Sequence, residues 1–202
     1  MCWCATQDQR RQGARAAWGN GDDRSAGDLN GKGDPIAINL PAKPIRADIM
    51  PSQPIIIRPF AGAADTTTLS QVWLDACLIA HSFIGEQRLI EQRSLIEDQY
   101  LPHSETWVAT IEGAPVGFIS LLDSFVGGLF VAPQMQGRGI GRRLIAHAMG
   151  LRGELELDVY VLNAAAMRFY RRIGFQEVSR RVLDDEGMPF ENARLRLAGA
   201  AA

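Results

Sequence analysis

The segment Gln136-Gly137-Arg138-Gly139-Ile140-Gly141 joins the apolar run "LFVAP" to a helical pattern that continues to about Gly150. A turn of this kind brings several backbone N–H groups and the positive end of a helix dipole to one spot. Its glycines let a ligand reach the main chain without meeting a Cβ. That chemistry suits a phosphate, and Arg138, Arg142 and Arg143 add donors for a pyrophosphate or a ribose phosphate. The competing reading is a helix start that merely needs pliable residues; three alternating glycines beside arginines favour the anion site. A P-loop would close on Gly-Lys-Ser/Thr, whereas Gly141 is followed by Arg142-Arg143. A dinucleotide fingerprint needs G-x-G-x-x-G, and this turn runs G-x-G-x-G. Farther along, Tyr170 follows Asn163 by seven residues, which puts both on one helix face about two turns apart. Its phenol could give up a proton, or it could belong to an apolar stripe with Ala166 and Ile173; the residues alone leave both open.

Other reactive types offer less. His81, His103 and His147 lack metal-ligand spacing with one another or with a cysteine, so no metal is expected. Cys2, Cys4 and Cys77 make an odd count and draw neither a disulfide framework nor paired Cys-x-x-Cys clips, which fits a reducing cytosol. Cys77 lies within a helical pattern, without a nucleophile's setting. Charges nearly cancel, at a formal −2, and supply no global field for nucleic acid or anionic membrane. The N-terminus carries no apolar run and no stretch of about 18 apolar residues occurs, so a soluble, cytoplasmic protein is expected.

The elements that must position these residues begin near Ile55. Residues 1–54 are rich in Gly, Asp, Arg and Pro without a sustained period, and are expected to be a disordered extension or an over-long start. "IIIRPF" reads as a strand; Leu69, Val72, Trp73, Ala76, Leu78, Ile79 and Phe83 then recur at helical spacing. A second helix, "EQRLIEQRSLIEDQY", is expected to close at Leu101-Pro102, because a residue before proline is pushed out of the α region. "TWVATI" and "PVGFISLL" read as a hairpin turning at Glu112-Gly113, and "VGGLFV" as the strand entering the glycine turn. After the helix come "LELDVYVL", Asn163 as a helix N-cap, and Gly174 just past that helix's C-terminus. "FQEVSRRVL", the turn 184–187 and "FENARLRL" form a last hairpin. This order predicts an α+β fold, one mixed sheet with helices on both faces, over residues 55–197, with 198–202 a flexible tail.

The glycine segment resembles the GNAT N-acetyltransferase superfamily, whose acetyl-CoA motif, Q/R-x-x-G-x-G/A after a strand, matches Gln136, Gly139 and Gly141. "NAAAMRFYRRIGF" is similar to the second family signature at Asn163, Ala166, Phe169, Tyr170, Gly174 and Phe175. "LFVAP" resembles the family's bulged fourth strand. The shorter stretches "WLDACLIAHSFI" and "GGLFV" resemble small stand-alone bacterial members, some linked to protein lysine acetylation.

The resemblance implies a central, mostly antiparallel mixed sheet of about six or seven strands, and an acetyl-CoA-dependent enzyme. Acetyl-CoA would lie between two splayed strands, pairing with Leu129, Phe130 and Val131. Its pyrophosphate would rest on Gln136, Gly137, Arg138, Gly139, Ile140, Gly141 and Arg142, and Asn163 would also touch it. Tyr170 is then the expected acid for the leaving thiolate, and a backbone N–H near the bulge an oxyanion donor, typically about 3 kcal/mol. The acceptor is expected to be a primary amine of a small molecule, peptide or protein; its base is open among Glu105, Glu156, Asp158 and His81. A non-catalytic acyl-CoA-binding module is the alternative.

Overall fold

The structure, a computed structural model, describes residues 53–199. The expectations for the leading extension and most of the tail fall on residues 1–52 and 200–202, outside the described residues. Seven strands form one sheet in the order β1-β2-β3-β4-β5-β7-β6. They are β1 (Ile55–Pro59), β2 (Glu105–Ile111), β3 (Ala114–Leu122), β4 (Phe125–Val131), β5 (Glu154–Tyr160), β6 (Gln176–Arg181) and β7 (Asn192–Ala198). Every pairing is antiparallel except β4 with β5. The helices are α1 (Ala63–Ala80), α2 (Glu86–Leu95), a single turn α3 (Leu101–His103), α4 (Ile140–Arg152) and α5 (Ala164–Ile173).

Local signals account for most of these boundaries. Glu112 and Gly113 both take positive φ, 52° and 82°, as a two-residue hairpin turn requires. Helix α4 ends at Gly153 and α5 at Gly174, both with positive φ, and the Asn163 side chain accepts the Ala166 N–H at 3.0 Å, capping α5.

One boundary departs from expectation. The chain stays helical through His103, past the predicted stop at Leu101-Pro102, with Leu101 itself in the α region (φ −60°, ψ −43°), by way of a π-helical turn at Ile96–Tyr100. Pro102 offers no N–H, and side chains take up the carbonyls behind it: His103 Nδ1 lies 2.7 Å from Gln99 O, and Ser104 Oγ donates to Tyr100 O at 2.8 Å.

Helices cover both faces of the sheet. Trp107, Ile119 and Leu129 are successive cross-strand partners, and Trp107 meets His147 of α4 with ring centroids 4.2 Å apart. The register skips Gly127, so Phe125 and Leu129 point to opposite faces. This bulge lies two residues before the "LFVAP" stretch to which the sequence assigned it. Phe125 shares its face with Arg194, 5.0 Å above its ring, and with Asp158 and Tyr160. Helix α1 lies on this side, since His81 at its C-terminal end meets the Tyr160 ring at 5.4 Å. Between these layers Leu69, Trp73, Phe118, Leu144, Leu157 and Val159 are buried in one core.

Candidate active site

Parallel strands need matching extended backbones, and β4 and β5 match only at their starts. Phe125 pairs with Glu156, and the Glu156 N–H donates to Ser124 O at 3.0 Å. Beyond that point the two strands diverge. Ala132 N–H donates to Val116 O at 2.9 Å, so by strand alternation the backbone groups of Phe130 point to β3 and those of Leu129 and Val131 point into the gap. The Val131 carbonyl there accepts the Gln136 side-chain amide at 3.1 Å, tying the strand end to the glycine turn.

That turn is built as the glycines require. Gly137 and Gly139 adopt φ of 76° and 80°, and Gly139 is the N-cap of α4 with no side chain satisfying the first turn. The N–H groups that open α4 therefore remain available to an incoming acceptor group. No side chain between Asp123 and Glu154 carries negative charge to compete with it. A Cβ built on Gly141 would sit 3.0 Å from Phe169 Cζ, so the first turn of α4 and the middle of α5 are in contact.

Gap and turn open into one cavity of about 410 Å³. Its lining includes Leu129, Phe130, Val131, Gln136, Gly137, Gly139, Ile140, Gly141, Arg142, Asn163 and Tyr170. Of the residues singled out in the sequence for the cofactor, Arg138 and Arg143 are not in that lining; both are exposed. Tyr170 is buried, at 1% exposure, and burial pushes its phenol well above the ordinary range. Across the cavity stands His81, whose Nε2 lies 3.3 Å from Asn163 Nδ2. The Asn163 carbonyl oxygen is already used by Ala166, so its amide nitrogen faces the imidazole and Nε2 acts as acceptor. Burial holds this imidazole far below its usual pKa, in the neutral form.

A family profile described as Acetyltransferase (GNAT) domain matches residues 102–177. Peptidyl-lysine N-acetyltransferase YiaC of Escherichia coli K12 is 30% identical over 130 residues, 64% of this chain and 89% of that protein. Peptidyl-lysine N-acetyltransferase YjaB of the same organism is 33% identical over 133 residues, 65% of this chain and 90% of that protein. The chain belongs to the GNAT acetyltransferase family. As a GNAT protein it is an acetyl-CoA-dependent N-acetyltransferase. The solution structure of apo YjaB superimposes with a TM-score of 0.66 at 32% identity, covering 72% of this chain and 99% of YjaB. At the level of fold alone, the coenzyme A complex of the PaiA N-acetyltransferase from Thermoplasma acidophilum matches with a TM-score of 0.59 at 18% identity, over 70% of this chain and 98% of that one.

Within this GNAT domain the four base candidates part company. Glu105 pairs with Leu121, at the end of β3 away from the glycine turn, and binds Arg152, the last residue of α4. Twelve residues of helix, roughly 18 Å, separate Arg152 from the start of α4. Trp107 and Arg152 hold the Glu105 carboxyl below the usual range. Asp158 receives Arg194 at 2.5 and 2.9 Å and Arg181 at 3.0 Å, so both its oxygens are engaged; Glu156 faces Arg194 at 3.6 Å and Arg196 at 3.9 Å. Only His81 lines the cavity. The GNAT cavity also takes in Met135, Ala165, Ala166 and Phe169, and the wall of α1 at Ala76 and Ala80. Ala165 and Phe169 are a helix turn apart on α5, a spacing legible in the sequence; the approach of α1 is tertiary and left no local signal. Among the described residues no group of three or more His, Cys, Asp or Glu could hold a metal ion, and no helix is long and apolar enough to cross a membrane.

Proposed function

We propose that this protein transfers the acetyl group of acetyl-CoA to a primary amine by direct attack in a ternary complex, with a peptidyl lysine as acceptor class. The observation that carries the reading is convergence: the open edge of β4, the unsatisfied amides of α4 and the Tyr170 phenol all meet one apolar-walled cavity. The acceptor class rests on YjaB and YiaC, both named as acting on peptidyl lysine.

Acetyl-CoA supplies an activated thioester. Leu129 and Val131 offer main-chain groups to its pantetheine arm, and the first-turn amides of α4, with Gln136, Arg138 and Arg142, receive its pyrophosphate. Asn163, at the head of α5, borders the arm, and Phe130 closes the apolar wall. A backbone N–H on the open edge at Leu129 stabilises negative charge developing on the acyl oxygen, a contribution of about 3 kcal/mol. Tyr170 remains protonated through the neutral range and gives its proton to the departing sulfur as the C–S bond breaks, and the proton lost by the newly acylated nitrogen restores the phenol, directly or through water. His81 acts through Asn163, holding the amide that caps the helix bearing Tyr170.

The test is an acceptor screen with acetyl-CoA over amines, lysine peptides and proteins, with mass spectrometry locating the acyl group. Free CoA thiol should appear only when an acceptor is present. Tight acetyl-CoA binding with no transfer to any member of the panel would replace this reading with that of an acyl-CoA-binding module.

A further inference from the structure

Lysine is among the commonest residues of globular proteins, yet residues 53–199 hold fourteen arginines and no lysine. The sequence carries two lysines, Lys32 and Lys43, and both precede the catalytic domain. A guanidinium keeps its proton and is no nucleophile, whereas a lysine amine, with a pKa of about 10.4, supplies a neutral fraction that can attack a thioester. The ion pairs of the described residues, such as Arg58–Asp65, Arg152–Glu105 and Arg194–Asp158, are made by guanidinium. Among the described residues the domain therefore offers no side-chain amine to its own reaction. The chain also enters the domain at the end of the sheet that holds the cavity. Ile57 pairs with Ala109, Ala109 with Gly117 and Gly117 with Val131, so one row crosses from β1 to the open edge of β4. Three strand spacings make that row about 14 Å long, and Val131 at its end lines the cavity. Lys43 precedes Ile57 by fourteen residues, and a fully extended chain of that length spans about 45–50 Å, more than the row requires.

We propose that the enzyme acetylates itself within one molecule, with Lys43 as the principal modification site and Lys32 as a second. This rests on the acetyl-transfer reading above and adds an acceptor to it, carried by the chain. The neutral Lys43 Nζ attacks the thioester carbonyl; the C–N bond forms, the C–S bond breaks, Tyr170 protonates the sulfur, and the proton shed by the new amide nitrogen restores the phenol. The products are an Nε-acetyllysine and CoA. A tether of this order presents a group at roughly millimolar effective concentration, so at about 1 μM protein the reaction within a molecule exceeds transfer between molecules by about 10³-fold. Effective concentration falls as about the −3/2 power of tether length, which sets Lys43 about two- to threefold ahead of Lys32. Each event removes one positive charge from a chain of formal charge −2.

The experiment incubates the full chain with acetyl-CoA and no added amine, following acetyl incorporation by intact mass and peptide mapping, and CoA release by thiol titration. Lys43 should be acetylated first, at a rate per molecule that stays constant over about a tenfold range of protein concentration. The chain's own lysines being the acceptors, CoA release should stop at no more than two equivalents per chain. The double variant Lys32→Arg/Lys43→Arg should release no CoA until a lysine peptide is added, and its turnover of that peptide reports that it is folded. A Tyr170→Phe chain mixed with this active variant offers both lysines to another molecule, and should stay almost unmarked over the time in which the parent is fully modified. A rate proportional to protein concentration, full marking of the Tyr170→Phe chain, or unmarked lysines in a parent that acetylates peptides overturns the proposal and leaves the acetyl-transfer reading standing. Absence of transfer both to these lysines and to every external acceptor overturns both.

Discussion

A phenol sealed from water keeps its proton, and this determines what Tyr170 can contribute. With burial raising its pKa, it stays in the donor form across the range where a lysine acceptor titrates, near a pKa of about 10.4. The rate should therefore follow the neutral fraction of the acceptor. We expect kcat/KM for a lysine peptide to rise about tenfold per unit between pH 7 and 9, with no falling limb in that interval. A rate profile flat in pH would instead indicate a protein base of depressed pKa. Replacing Tyr170 by Phe keeps the ring packing against Phe169 and Phe175 and removes the proton donor. Turnover should fall by about 10²-fold or more, with little change in the KM for acetyl-CoA, as single-turnover and steady-state kinetics would resolve. Tyr170 and Asn163 were legible in the sequence as parts of a motif, but the pairing of Asn163 with a buried, neutral His81 was not. That contact joins residues 82 apart in the chain, and no helical or strand period reports such a distance.

At the scale of elements, the glycine turn was readable because its demands are local. Gly139 must take a left-handed φ of 80°, which costs a residue with a Cβ about 1–2 kcal/mol and is worst for a β-branched one. Gly139→Val should weaken acetyl-CoA binding about tenfold in calorimetry while the far-ultraviolet circular dichroism stays that of the parent. The end of α2 was misjudged for the opposite reason: the rule for residues preceding proline is local, whereas the π turn and the capturing side chains of His103 and Ser104 supplied a compensation it does not include. The charged candidates show a third case. Glu156 and Asp158 alternate with the apolar face of β5, and sequence alone could not say that β7 would arrive beside them bearing Arg194 and Arg196. Asp158 is buried and its guanidinium partners are about a third exposed, so Asp158→Ala should cost roughly 2–3 kcal/mol in urea unfolding, below the loss for a fully buried pair.

For the whole molecule, the buried imidazole links folding to pH. His81 is neutral in the native state, while in the unfolded chain it takes up a proton below about pH 6.5. Protons thus favour the unfolded state, and the contribution is full above that pH and shrinks as pH falls below it. The loss approaches about 1.4 kcal/mol per pH unit for this one group. A pH series of urea melts between 6.5 and 5 should show the parent losing stability faster than His81→Gln, the difference between the two slopes isolating His81. Equal slopes would mean that the imidazole titrates normally.

The single bridge at Phe125 and Glu156 carries a mechanical implication. Strands β1 to β4 form one plate and β5, β7 and β6 another, clasped at one corner and backed by α4. In the apo protein such plates can breathe about that clasp, so the amides of Leu129 and Val131 should exchange hydrogen for deuterium readily. A thioester donor threaded between them would act as a removable eighth rung, slowing that exchange and raising the melting temperature together.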